Sequence, residues 1–143
     1  METKFNFKSQ IATDKNQSEH LLSLGLKRNT ADMVWTHAYY GTWVVTAFEN
    51  PLYEEDDSVP AWSLGRLIEM LPTPIPISEE LPTFHHYAYL DLSKVSVDYE
   101  WEDYDGADRI LVDFYGNGFF AAVVEAIEWL IKNGYFPNEY LEE

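Results

Sequence analysis

The chain has 143 residues, length for one domain, and 46% hydrophobic and 16% aromatic residues, enough to build one packed core and to exclude a largely disordered polymer. Twenty-five acids against nine bases give a formal charge of −16, which argues against a phosphate-binding groove and against an anionic membrane surface. With no Cys, disulfides, thiolate catalysis and Cys-based zinc sites are excluded.

The first 15 residues carry +1 (Lys4, Lys8 and Lys15 against Glu2 and Asp14), so the remaining 128 carry −17. Met1–Asp14 reads as a loosely held arm ahead of a single domain over 15–143, with Phe5 and Phe7 alternating as an edge strand would. It contains no apolar run of signal-peptide length, and no later stretch reaches a membrane span, so the cytoplasm is the expected compartment.

A short helix is predicted over Lys15–Leu24, with Asp14 as its N-cap and Gly25 where a left-handed residue ends a helix. Asn29–Asp32 reads as a turn. Met33–Tyr40 and Thr42–Phe48, rich in aromatic and β-branched residues around Gly41, read as a β-hairpin. Glu49–Asp57 is a polar loop, and Ser58-Val59-Pro60 then opens a second helix, since Pro suits a first turn. Leu64, Leu67, Ile68 and Leu71 supply its apolar stripe. Pro72, Pro74 and Pro76 stop it and enforce an extended connector.

Phe84–Leu92 and Lys94–Trp101 read as strands. In the second, Val95, Val97, Tyr99 and Trp101 alternate with Ser96, Asp98 and Glu100, the pattern of a half-buried strand. A turn over Glu102–Gly106 leads to a strand at Arg109–Tyr115. The final helix, Gly118–Asn133, has Phe120, Val123, Val124, Ile127, Leu130 and Ile131 on one side. Asn133-Gly134 and Pro137 end it. The order α-β-β-α-β-β-β-α implies an α+β single domain, with a mainly antiparallel sheet of about five strands and about three helices packed on it. Trp62 and Trp129 fall in the helical stretches and read as structural.

Sites of known chemistry are not evident. His85 and His86 are adjacent in a predicted strand, so they point to opposite faces and do not share a metal. Asp103, Asp105 and Gly106 match three points of a calcium loop. Aligning Gly106 to the sixth position then puts Trp101 and Val112 where acids are required. Gly116-Asn117-Gly118 lacks the Lys of a phosphate loop and reads as a tight strand-to-helix turn. No catalytic, cofactor-binding or metal-binding residue is assigned, and no cofactor is expected.

The feature that stands out is acid mixed with aromatics. Residues 91–113 hold Asp91, Asp98, Glu100, Glu102, Asp103, Asp105, Asp108 and Asp113 against Lys94 and Arg109. Tyr53 with Glu54, Glu55, Asp56 and Asp57, and Tyr99, Trp101 and Tyr104 with Glu102, Asp103 and Asp105, are therefore the candidate partner-binding residues. Large aromatics anchor interfaces, and a one-signed field speeds encounter with an opposite-signed partner. The expected function is a non-enzymatic module that binds a basic protein, acting as an inhibitor or DNA mimic. A small enzyme or ligand-binding protein with an atypical site, or an accessory scaffold, is the alternative.

The segments Leu22–Leu26, Thr30–Met33, Pro60–Pro72 and Glu125–Tyr135 resemble a family of small acidic proteins carried by prophages and other mobile elements of gut anaerobes, with no settled activity. The stretches P-A-W-S-L and E-W-L-I-K-N-G-Y are the most specific pieces. The resemblance implies a cytoplasmic protein of mobile-element origin and brings no catalytic residues with it. A weaker similarity, to immunity proteins of the SUKH type, lacks their glycine-rich signature.

Overall fold

A computed structural model describes residues 10–37, 41, 43–47, 58–93 and 96–143. Among the described residues, three α-helices and seven strands form an α+β domain with two antiparallel sheets. The first helix, α1, spans Lys15–Ser23. Its start is a full capping box: the Asp14 carboxylate accepts from the Gln17 N–H at 2.7 Å, and Gln17 Oε1 accepts from the Asp14 N–H at 3.0 Å. Gly25, at φ +104°, turns the chain out of it.

The segment just before α1, the last residues of the expected arm, is held firmly in place. Ala12 and Thr13 are buried. The Thr13 N–H donates to the Trp62 carbonyl, the Trp62 N–H donates to Thr13 Oγ1, and the Trp35 indole N–H donates to the Thr13 carbonyl. A residue that satisfies two tryptophans this way is fixed by the pairing requirement of buried backbone groups. Residues 1–9, with Phe5 and Phe7, lie outside the described residues.

Strands β1 (Met33–His37) and β2 (Trp43–Ala47) are the expected hairpin, in register Met33 to Ala47 through His37 to Trp43. Its buried face carries Val34 and Thr36. The stretch read as the first turn of a helix is instead a strand, β3 (Val59–Ala61), paired with β1 and setting Pro60 opposite Val34. The sheet order β2-β1-β3 puts β3 at an edge, where a missing N–H is tolerated. Helix α2 begins later, at Leu64–Met70, capped by Ser63 Oγ, which accepts from the Arg66 N–H. Ser63 is held from outside by Asp32, which accepts from both its N–H and its hydroxyl. Trp62 lies between β3 and α2, fully buried, its indole N–H on Thr30 Oγ1 at 3.0 Å.

The proline connector delivers a short edge strand, β4 (Ile75–Pro76), to the second sheet. That sheet runs β4-β5-β6-β7, with β5 Tyr87–Leu92, β6 Ser96–Glu102 and β7 Asp108–Tyr115. The described residues therefore make two sheets, of three and four strands, where one of about five was expected. The helix and prolines between β3 and β4 separate the two groups.

Helix α3 (Phe119–Lys132) lies across the inner face of the four-stranded sheet, against β6 and β7. Val97, Tyr99 and Phe114 of the sheet share one buried cluster with Phe120, Val123, Ile127 and Leu130. Gly116 permits this close approach: a Cβ there would lie 2.5 Å from the Ala121 Cβ and 2.7 Å from the Ala122 nitrogen. After α3, Gly134 takes φ +76° and the Tyr135 and Phe136 N–H groups return to the Leu130 carbonyl, with Phe136 buried behind them. The C-terminal segment pairs back on the exit of α1, with Leu141 bridged to Leu26. No described helix is long and apolar enough to cross a membrane.

Candidate functional site: the outer face of the four-stranded sheet

With α3 covering one face of the sheet, alternation sends every second side chain to the other face. On β5 these are Tyr87, Tyr89 and Asp91, all exposed. On β6 they are Asp98, Glu100 and Glu102, which alternate with Val97, Tyr99 and Trp101. On β7 they are Asp108, Ile110, Asp113 and Tyr115. The uneven step at β7 comes from a bulge: Tyr99 faces Val112 while Glu100 faces Ile110, so Leu111 has no opposite number. That extra residue shifts the alternation and brings Asp113 outward while Val112 and Phe114 turn inward.

Register then fixes who opposes whom. Asp91, Asp98 and Asp113 form one row across three strands. Tyr89, Glu100 and Ile110 form the next. Glu102 faces Asp108 in the third. Opposed side chains on neighbouring strands have Cβ atoms roughly 5 Å apart, so the aspartate row places like charges in contact range. Among the described residues this face carries no Lys or Arg.

The electrostatics record the crowding. Partial burial, then the charges of Asp91 and Asp113, hold the Asp98 carboxyl above its usual value. One of its oxygens, Oδ1, is buried without a hydrogen-bond partner. Glu100 is raised by burial and by Asp98, Asp91 and Asp108. The Tyr115 hydroxyl is raised by its hydrogen bond to Asp113 and by that residue's charge. Carboxylate oxygens of Asp91, Asp98 and Glu100 lie within 4.8 Å of one another, oxygen donors of the kind that hard cations take, although three such groups fall short of a full calcium shell.

Beside the aspartate row the face is concave. A depression of about 320 Å³ is lined by His85, Tyr87 and Tyr89 on one side and by Glu100, Glu102 and Asp108 on the other, with Trp101 between the glutamates. His85 and His86 precede β5 and do not lie inside a strand; His86 takes φ +53°. Strand alternation therefore does not set their side chains on opposite faces. No metal-ligand set among the described residues includes either one.

The residues singled out from the sequence divide. Tyr53, Glu54, Glu55, Asp56 and Asp57 lie outside the described residues. Tyr99 is not a surface aromatic: it is fully buried, and its hydroxyl donates to the Pro72 carbonyl at 2.7 Å. Trp101 is half-buried against the core. Asp103 is also buried. It holds the β6–β7 turn by accepting from the Asp105 and Ala107 N–H groups and from Arg109 Nε at 2.8 Å. Those bonds, the Arg109 bond first, pull its carboxyl below the usual range. Glu102, Tyr104 and Asp105 are exposed. Tyr104 stacks edge-on against Phe84 at 4.6 Å, forming an aromatic pair at the end of the sheet. Tyr87, Tyr89, Ile110 and Tyr115 are the exposed large hydrophobic residues of the face; alternation within β5 and the start of β7 is the sequence signal that marks the first three, while Tyr115 comes outward only through the bulge.

No protein-family model, no curated protein and no solved structure matches this chain.

Proposed function

We propose that the protein is a non-enzymatic binding module that docks the outer face of its four-stranded sheet on a basic surface of another protein. The observation that carries this reading is the cross-strand grid itself: Asp91, Asp98, Glu100, Glu102, Asp108 and Asp113 on one face, with Tyr87, Tyr89, Ile110 and Tyr115 exposed among them. A field of one sign steers an opposite-signed partner, and desolvated aromatics supply the contact energy. A protein whose basic surface handles nucleic acid is the partner class that such a face would block, in the manner of a DNA mimic. Action in the cytoplasm, in the mobile-element setting that the resemblance implies, fits that role.

The test is capture at low salt from lysate of the natural host, with the chain immobilised. A basic protein is expected to be retained and then released as salt approaches 1 M, where the screening length falls to about 3 Å. A variant carrying Asp91→Asn, Asp98→Asn, Glu100→Gln and Asp113→Asn is expected to lose it. Retention that survives this neutralisation, or no retained basic protein, refutes the reading.

A further inference from the structure

We infer that the depression between Tyr89 and Glu102 is a seat for one arginine side chain of the partner. This rests on the reading above and names the group that the face recognises. At about 320 Å³ the concavity sits at the low end of pockets that take small molecules, a size for one side chain and not for a large cofactor. Its walls are of two kinds. Tyr87 and Tyr89, roughly half-exposed, present ring surface from β5. Glu100 and Glu102 from β6, with Asp108 opposite Glu102, present carboxylates from the other side.

A cation suits the site best, because a neutral occupant displaces water from these acids without offsetting their charge and an anion adds to the repulsion. Guanidinium satisfies both walls together. Its plane stacks on an aromatic ring, and its fork of N–H donors meets carboxylates two at a time. A lysine ammonium is a compact, strongly hydrated charge and uses the ring surface less well. Glu100 already sits among like charges, so a guanidinium relieves repulsion on arrival.

The experiment titrates the intact chain at low salt with three capped peptides, identical except for one central arginine, lysine or citrulline. Backbone amide shifts in the NMR spectrum report the location. The arginine peptide is expected to bind about three- to tenfold tighter than the lysine peptide and at least tenfold tighter than the citrulline peptide. Shifts are expected to cluster at Tyr87, Tyr89, Glu100 and Glu102. Tyr89→Leu and Glu102→Gln should each weaken the arginine peptide about three- to tenfold, while Glu125→Gln, on the exposed side of α3, leaves it unchanged. Each variant's melting temperature reports whether it is folded.

Equal binding of arginine and lysine peptides, unaffected by Tyr89→Leu, overturns the seat. If that binding still vanishes when Asp91, Asp98 and Asp113 are neutralised, the basic-partner reading survives without it. No binding by any of the three peptides also overturns the seat, and the capture experiment then decides the broader reading alone.

Discussion

Replacing Asp98 by Asn tests the electrostatic description of the outer face. Asp98 stands between Asp91 and Asp113, directly opposite both. Each opposed like-charge pair costs on the order of 0.2–1 kcal/mol. Removing the central charge relieves both, so the variant should gain about 0.5–2 kcal/mol at neutral pH. For a chain of this length that is a rise in melting temperature of about 2–6 °C. The Asn amide also offers donors to the flanking carboxylates, which a carboxylate does not. Thermal unfolding at pH 7 and low salt is the assay, with Glu125→Gln as the control that removes one negative charge away from the row. Two internal checks follow. The gain should shrink between about 0.01 M and 1 M salt, as the screening length falls from roughly 30 Å to 3 Å. It should also shrink on acidification. Because folding raises the Asp98 pKa above 3.8, the folded state binds more protons than the unfolded chain in the window from 3.8 up to the raised value. Wild-type stability therefore falls as pH rises through that window, and the penalty is complete above it. Protonating Asp98 removes what Asp98→Asn removes, so the two proteins should converge in acid. A variant no more stable than Glu125→Gln, or less stable than wild type, would mean that the row is not repulsive and would refute the reasoning.

Trp62→Ala should cost about 3–5 kcal/mol in urea unfolding, since it empties a fully buried site; a loss below about 1 kcal/mol would show that the pocket collapses around Ala. Asp103→Asn should lower the melting temperature more than Asp105→Asn on the same turn, because only Asp103 accepts from two N–H groups and from Arg109. With its pKa depressed, the Asp103 contribution is present above 3.8 and is lost as pH falls through the lowered value, so the two variants should differ less in strong acid. Gly116→Ala drives a methyl into Ala121 and the α3 backbone and should destabilise by about 1–3 kcal/mol. Gly65→Ala meets nothing within 4 Å and lies inside α2, so it should stabilise by about 0.5–1 kcal/mol. The opposite order of their urea midpoints would contradict the packing described for α3.

Local signals made much of the fold readable in the sequence. Asp14, Gly25 and Gly134 mark helix ends because a cap is a relation among residues a few positions apart. The alternation in Ser96–Glu102 marks a half-buried strand for the same reason. It also assigns Tyr99 and Trp101 to the core side, a local signal that outweighs the general value of aromatics as contact residues. What was not readable depends on distant pairing. Val59–Ala61 becomes a strand through β1, some 25 residues away, and nothing local separates Pro60 at a sheet edge from Pro at a helix start. Thr13 is fixed by Trp35 and Trp62, neither near it in sequence. The candidate site was half legible. The acids of residues 91–113 were visible, but their grouping on one face needed the register of three strands. Strict alternation from Asp108 and Ile110 would send Asp113 inward; the unopposed Leu111 reverses that, and a one-residue bulge leaves no reliable mark on composition.

The placement of those acids bears on whether the charge serves only solubility. Solubility depends on net charge and needs no particular arrangement, so acids spread over the surface provide it at least cost to folding. Here three aspartates are lined up across neighbouring strands, where repulsion is greatest, while the sheet is held from behind by Tyr99, Phe114 and the apolar side of α3. The inner face supplies the stability that the outer face spends. A cationic partner reverses that balance, because it pairs with the charges that the isolated protein must hold apart. The same substitution, Asp98→Asn, should therefore strengthen the fold and weaken the association. A change that moves stability and binding in opposite directions separates a face that recognises a basic partner from one that merely keeps the chain in solution.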